Sequence, residues 1–354
     1  MSLVIKKIEL NTDKRLLCIS DVHGNLEGLK KLLAEANYSK FDQLVVIGDL
    51  VEKGPDSLGV VRYLMSLEKS NEVYIVQGNC DWSIVAVIDD IELAKKYLDL
   101  SEGIISEMAR EINIKPDITD VEEIVKLLKD NFSAEINWLR NLPTIIDTQY
   151  VTFVHAGIME KELELNDYSS CLSVRLFEEN APVFDKYVMV GHYPTASYCE
   201  AITDCNPRIN KEKKIISIDG GNGVKTEGQL NLVIINNLAT MELENIYVDR
   251  GTDIIATHNQ KESETYRSIP WGKHEVIVLE ELLNGKYIQQ VSSGYKMMVG
   301  IDDVYYVDDK SYVVDSTDYH LPITKGDVLG VHKETTSGYL VKKNGILGWY
   351  DKQG

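Results

Sequence analysis

The chain has little of what would tie it to a membrane, an oxidising compartment or a nucleic acid. No run approaches the ~20 consecutive apolar residues of a membrane span. The opening residues, Met1-Ser2-Leu3-Val4-Ile5-Lys6-Lys7, lack the basic stretch and apolar core of an export signal. A soluble, cytoplasmic protein without a membrane partner is therefore expected. Cysteine is scarce: Cys18, Cys80, Cys171, Cys199 and Cys205 are odd in number and show neither CxxC spacing nor a disulfide framework, which fits free thiols in a reducing cytosol. Basic side chains are outnumbered, 37 against 56 acidic ones for a net charge of −19. That balance argues against nucleic acid or an anionic membrane surface and suits a protein that collects divalent cations. There is no internal repeat and no low-complexity segment.

What is present is an ordinary globular composition, 44% apolar and 26% charged, over 354 residues, enough for a large domain and a small one. Residues 3–20 read as one or two strands, ending at Ser20-Asp21-Val22-His23-Gly24. Leu26, Leu29, Leu32, Leu33 and Ala36 then recur at helical spacing behind Asn25, a suitable N-cap. A second cycle follows: strand Gln43 to Ile47, loop Gly48 to Pro55, helix Asp56 to Leu67. A third strand, Val73 to Val76, ends at Gly78-Asn79-Cys80-Asp81. Residues 82–142 are helical in pattern, with a capping box at Thr119-Asp120-Val121-Glu122. Strands resume at Thr144 to Asp147 and at Tyr150 to Val154, the latter ending in His155; Tyr187 to Val190 ends in Gly191-His192, and Ile215 to Ile218 in Asp219-Gly220-Gly221. Leu230 to Ile235 and Met241 to Val248 close the domain. Alternating strands and helices favour a parallel sheet, whose ligands bind beyond the carboxyl ends of the strands.

Asp21, His23, Asp49, Asn79, His155 and His192 all stand where strands end, and all are oxygen or imidazole donors suited to manganese, iron or zinc. A carboxylate between two groups of ligands can bridge two ions, and Asp49 is the natural bridge. Two metals about 3.5 to 4 Å apart share a water, lower its pKa, aim it at phosphorus and neutralise the phosphoryl oxygens. The remaining histidines, His258, His274, His320 and His332, lie outside this set.

The succession Asp-x-His, Gly-Asp-(x)4-Gly, Gly-Asn-x-Asp, His-Ala-Gly and Gly-His, over residues 14–235, resembles the calcineurin-like metallophosphoesterase superfamily and, within it, the phosphoprotein phosphatase type. Leu139-Arg140-Asn141-Leu142-Pro143 and Val190-Gly191-His192-Tyr193-Pro194 also look like family segments, and Gly48 to Leu58 is similar to the wording of symmetrical diadenosine tetraphosphatases. The resemblance implies a layered α/β metallophosphoesterase fold with strands covered by helices. It also implies two metal ions, manganese, iron or zinc: the first held by Asp21, His23 and Asp49, the second by Asp49, Asn79, His155 and His192.

The chain departs from the family at one place in the site. Gly-Asp-x-x-Asp-Arg-Gly becomes Gly48-Asp49-Leu50-Val51-Glu52-Lys53-Gly54, and Gly-Asn-His-Glu or Gly-Asn-His-Asp becomes Gly78-Asn79-Cys80-Asp81. In the family the missing histidine, oriented by the missing aspartate, protonates the leaving group, and the missing arginine grips phosphate. The catalytic set here is accordingly Asp49, Glu52, Lys53 and Cys80, with Asp81 as another source of the proton, and Lys53, Asn79 and Arg175 as phosphate contacts, Arg175 on a helix after His155. Lys53 offers a point charge without the arginine fork. Cysteine is a poor acid, so leaving groups that need no proton are favoured: phenolate, pKa ≈ 10, and phosphate, pKa ≈ 6, over a serine alkoxide. The substrates in view are aryl phosphates on protein, small phosphoesters or dinucleoside polyphosphates; a non-catalytic module that binds a phosphorylated partner is the alternative outside enzymes.

Domains are expected at 1–248 and 273–354, joined by a polar linker at 249–272. Turn signals at Asn284-Gly285, Asp308-Asp309, Lys325-Gly326 and Asn344-Gly345 indicate a small all-β unit. The phrasing of Lys325 to Tyr350 looks like an SH3-like barrel over roughly 290–354, where Tyr305, Tyr306, Tyr312, Trp349 and Tyr350 could line a groove for a peptide partner.

Overall fold

The computed structural model describes residues 2–114 and 120–352. Its contacts divide the chain into two units, Met1–Tyr193 with Pro207–Asp249, and Pro194–Asn206 with Arg250–Gly354.

The first unit holds eleven of the described strands: β1 (Ile5–Lys7), β2 (Leu16–Ile19), β3 (Gln43–Ile47), β4 (Glu72–Val76), β5 (Ile145–Asp147), β6 (Val151–Val154), β7 (Tyr187–Val190), β8 (Arg208–Asn210), β9 (Ile215–Ser217), β10 (Gln229–Ile235) and β11 (Leu243–Asp249). They form two sheets, in the orders β11-β10-β2-β3-β4 and β1-β5-β6-β7-β9-β8. The expected parallel pairing holds for β2, β3 and β4. The closing strands β10 and β11 instead make a hairpin laid antiparallel along β2. The other sheet is mixed, parallel from β6 through β7 to β9 and antiparallel at β5–β6 and β8–β9.

Strand alternation explains the layering. Leu16 and Cys18 of β2, Val45 and Ile47 of β3 and Val76 of β4 pack with Phe153, Met189 and Ile216 of the second sheet, so the two sheets face one another across this core. Their neighbours Leu17, Ile19, Leu44, Val46, Val73 and Ile75 point to the opposite face. Both faces are thus covered, which is why these strands read as unbroken apolar runs. The outer face packs against α1 (Leu26–Glu35), α2 (Ser57–Glu68) and the helical insertion α3 (Asn79–Asp89), α4 (Ile91–Tyr97), α5 (Gly103–Glu111), α6 (Val121–Asn131) and α7 (Ser133–Arg140). Asn25 caps α1 as expected, accepting from the Gly28 amide at 2.9 Å. Asp120 caps α6; Thr119, the first residue of the expected capping box, lies outside the described residues. Short helices α8 (Tyr168–Ser173) and α9 (Phe177–Asn180) contribute Cys171 and Phe177 to the core on the far side of the second sheet. Arg175 lies in a bend between them rather than on a helix. Among the described residues no helix is long and apolar enough to cross a membrane.

The second unit contains β12 (Thr252–Ile255), β13 (Ser268–Ile269), β14 (Glu275–Leu282), β15 (Gly285–Gln290), β16 (Lys296–Val299), β17 (Val304–Val307), β18 (Lys310–Val313), β19 (Ser316–Thr317), β20 (Val328–Glu334), β21 (Gly338–Lys343) and β22 (Ile346–Asp351). Asp308-Asp309 and Asn344-Gly345 are two-residue turns with positive φ at both positions, as their composition indicates.

Two expectations fail here. The segment expected as a linker carries β12, which pairs with β20, and β13, which pairs with β19. Its polar residues bind backbone: Gln260 Nε2 donates to the carbonyls of Leu321 and Trp349. Nor do the strands of 290–354 close on themselves, since they are shared between the sheets β16-β15-β14-β18-β17 and β12-β20-β21-β22. The five aromatics form no single groove: Tyr305 and Tyr312 stack on the first of these sheets, whereas Tyr350, on the second, is buried with its hydroxyl accepting the Thr257 amide at 2.8 Å.

Candidate metal centre

The loops after β2, β3, β4, β6 and β7 carry all six expected ligands, and backbone hydrogen bonds fix them to one another. The amides of Asp21, His23 and Gly24 donate to the carbonyls of Gly48, Asp49 and Leu50 at 3.1, 2.9 and 2.9 Å. The Gly191 amide donates to the His155 carbonyl at 2.8 Å, and the His192 amide reaches the Asp21 carboxylate at 3.0 Å, linking the two sheets. Gly191 is glycine of necessity, because a Cβ there would lie 2.2 Å from Asp21 Oδ2. Asp21, His23, Asp49 and His192 all adopt positive φ, at 52°, 45°, 49° and 65°. Each such residue costs about 1–3 kcal/mol, and clusters of them mark sites where function fixes the backbone.

Asp49 lies between two imidazoles. Its Oδ2 is 3.7 Å from His23 Nε2 and its Oδ1 is 3.4 Å from His155 Nε2. The far nitrogens of both rings face backbone carbonyls, His23 Nδ1 that of Val51 at 3.2 Å and His155 Nδ1 that of Ile47 at 3.0 Å. In the neutral ring, donation there would leave the lone pair at Nε2, on the side of Asp49. His155 Nε2 is also 3.1 Å from Asn79 Oδ1, and the His192 ring lies 5.1 Å from that of His155. Lone pairs of His155, Asn79 and Asp49 therefore converge on one point, and those of His23, Asp49 and, at 4.0 Å from His23, Asp21 on another. Converging acceptors are the arrangement that cations reconcile.

The electrostatics agree. Burial, then the charges of Asp219 and Asp49, push the Asp21 carboxyl well above the usual range. Burial would do the same to Asp49, but His155 and His23 outweigh it and hold that carboxyl down. Burial and then His155 push His192 down to about 4, so the ring is neutral at ordinary pH. Buried carboxylates crowded together, with acceptors facing inward, fit a pair of divalent ions.

A family model for calcineurin-like phosphoesterases matches residues 14–215. The chain belongs to the calcineurin-like phosphoesterase family. Among curated proteins it is 35% identical over 146 residues to the symmetrical bis(5'-nucleosyl)-tetraphosphatase of Buchnera aphidicola subsp. Schizaphis graminum, covering 40% of this chain and 44% of that protein. It is 37% identical over 144 residues to the protein of that name from Serratia proteamaculans, covering 40% and 42%. The chain spans about half the length of the curated relatives it matches. A solved protein serine/threonine phosphatase from Saccharomyces cerevisiae aligns over 70% of this chain and 84% of its own at 11% identity with a TM-score of 0.46, a loose likeness.

Around these candidate ligands, the structure reassigns several residues. Glu52 turns away from the ligands: its carboxylate accepts the Ile104 amide at the start of α5 at 3.0 Å. Asp81 is fully buried, with Oδ1 accepting the Leu50 amide at 2.9 Å and Oδ2 the Gly78 amide at 2.8 Å. It is a strut between the Gly-Asp and Gly-Asn loops, with both of its oxygens bound to amides. Lys53 is exposed, and its charge is felt at Cys80. The exposed Arg175 guanidinium is felt at His192. Cys80 is half-buried; its amide donates to Asp49 Oδ1 at 2.8 Å, and burial and then Asp49 raise its thiol pKa.

Two site residues escaped the sequence reading. Asp219 follows β9 as the ligands follow their strands; it is buried, its Oδ1 accepts the Gly221 amide at 2.7 Å, and its Oδ2 has no hydrogen-bond partner. Asn222 donates to the carbonyls of Asp21 and Val22 at 3.0 and 2.9 Å and accepts from Asn25 Nδ2 at 3.0 Å, clamping the Asp-x-His corner. The strand-end rule would have found Asp219; nothing in the residue pattern announces Asn222.

Proposed function

We propose that the chain is a phosphohydrolase that uses two metal ions, with its best substrates among phosphoesters and phosphoanhydrides whose leaving groups need no proton. The observation that carries this reading is Asp49, whose two oxygens face the Nε2 atoms of two imidazoles on opposite sides. Asp21, His23 and Asp49 would hold one ion, and Asp49, Asn79, His155 and His192 the other. Ions held there would supply a water of lowered pKa as nucleophile and positive charge for the phosphoryl oxygens.

The chain's own residues do the rest. Lys53 and Arg175 supply positive charge at the mouth of the site for the phosphate. Asp81 and Asn222 hold the ligand loops in their strained conformations, so the site is organised before substrate arrives. With the Glu52 carboxylate turned to α5 and both Asp81 oxygens bound to amides, neither of these carboxyls is poised where the family places its histidine. A leaving group must therefore depart as the anion, which favours phenolate or phosphate over alkoxide.

Elemental analysis together with hydrolysis of p-nitrophenyl phosphate, a phosphotyrosine peptide, a phosphoserine peptide and diadenosine tetraphosphate tests this. Two metal ions per chain are expected, with turnover reduced at least ~100-fold by Asp49→Asn, since the bridging carboxylate serves both ions. A kcat/KM on the phosphoserine peptide equal to or above those on the aryl ester and the anhydride would overturn the leaving-group argument. Bound metal without turnover of any of them would mean a phospho-ligand binding module. Hydrolysis of dinucleoside polyphosphates is the second reading, favoured by the names of the curated relatives.

A further inference from the structure

Cys80 stands where the family carries a histidine, and the structure places its sulfur among the ligands themselves. The ligand atoms of His23, Asp49 and Cys80 all lie within 4.8 Å of one another, as do those of Asp21, Asp49 and His155. Asp49 is common to both groups. The sulfur is thus grouped with His23 across Asp49, while Asp21 is grouped with His155; the two-metal reading, which gives the first ion Asp21, His23 and Asp49, leaves that ion with three protein donors.

We propose that Cys80 is a fourth protein ligand to the first metal ion, making that position an N/O/S site. The inference rests on the two-metal reading above. Two features of the fold support it. Cys80 occupies the first turn of α3, directly after Asn79, and its amide bond to Asp49 Oδ1 holds the residue against the bridge. Donors around a zinc ion at metal–ligand distances of about 2.0–2.3 Å stand roughly 3.3–3.8 Å apart, so the group needs only a modest contraction to close on an ion.

A sulfur ligand would change what the site selects. Thiolate favours zinc, cobalt and ferrous iron over manganese and magnesium, whereas an all-oxygen-and-imidazole set does not discriminate so sharply. It also accounts for the missing acid: a side chain coordinated to the metal has no proton to give the leaving group. The substitution that removes the histidine would then add a ligand and remove an acid at once.

Cobalt(II) is the probe. The metal-free full-length protein is loaded with cobalt, the bound metal is counted, and the near-ultraviolet spectrum is searched for a sulfur-to-cobalt charge-transfer band. The expected result is two cobalt ions per chain with a band that disappears in Cys80→Ser, while that variant binds the first ion about tenfold or more weakly. Two bound cobalt ions without a band would overturn the proposal and leave the two-metal reading intact. Fewer than two in the native protein would overturn both. A second measurement needs no variant: the other four cysteines are buried, so zinc should protect Cys80 from iodoacetamide in peptide mapping. Equal labelling with and without zinc would count against ligation.

Discussion

At the scale of single residues, the centre is made of groups whose protonation states oppose one another. His192 is pushed down from 6.5 to about 4, so between those values the unfolded chain binds a proton that the folded one refuses. For this group stability is full above about pH 6.5 and is lost as pH falls toward 4, by at most about 3 kcal/mol at 1.36 kcal/mol per unit. Asp21 and Asp219 act with the opposite sign: their raised pKa values let the folded state bind protons first, so acidification favours it. In metal-free protein, His192→Asn should flatten the loss of stability between pH 6.5 and 4; urea midpoints at each pH check this. An unchanged slope would show that the ring does not titrate as its burial requires. The candidate ligands were legible in the sequence because each is a chemically distinctive residue at the end of an apolar strand. Asn222 was not, because its work is to donate to main-chain carbonyls, which many polar residues in many loops could do.

At the scale of elements, the helical insertion is fastened to the Gly-Asp loop by two carboxylates, each bound to the start of the other's helix. Glu52, just before α2, accepts the Ile104 amide at the start of α5, and Glu107 of α5 accepts the Ser57 and Leu58 amides at the start of α2 at 2.9 and 2.6 Å. Amides in a helix's first turn have no partner within the helix, and an anion there is favoured by the dipole as well. Burial raises the pKa of both carboxyls, so each bond is made at a desolvation cost that its partner amides offset. Glu107→Ala should cost about 1–2 kcal/mol and Glu52→Ala about 1 kcal/mol, by analogy with the loss of an N-cap. Thermal unfolding measures both. The Glu52 variant should keep the shape of the native pH–rate profile; loss of its alkaline limb, where a proton donor is titrated away, would restore Glu52 as the proton donor. In sequence, Glu52 reads as a catalytic carboxylate because it stands where the family carries its aspartate. Its direction is decided by φ of 71° and by α5, some fifty residues on, which no local pattern encodes.

At the scale of the whole molecule, the two units do not follow one another along the chain. The stretch Pro194–Asn206, beginning two residues after His192, belongs to the second unit. There the Ser268 amide donates to the Glu200 carbonyl at 3.0 Å, the Leu347 amide to Thr203 at 3.0 Å, and the Cys205 amide to Gly345 at 2.9 Å. Arg267 pairs with the Glu200 carboxylate at 2.5 Å, and Ile202 packs against the core formed by Tyr319, Leu329, Val341 and Tyr350. A boundary at a polar linker was the natural reading, since a sequence shows composition and not which distant strand a segment will join. The consequence concerns autonomy. A fragment of residues 250–354 lacks the segment that completes β13 and the β21–β22 turn, leaving several donors and acceptors without partners, each worth about 1–3 kcal/mol when buried. Against a domain stability of about 5–15 kcal/mol, that loss is large enough to abolish folding. The fragment alone should show weak near-ultraviolet dichroism and no cooperative unfolding, whereas the same fragment with residues 194–206 fused through a flexible glycine-serine tether should recover both. Cooperative unfolding of the bare fragment at a midpoint equal to that of the fusion would mean that Pro194–Asn206 merely rests on a unit that folds without it.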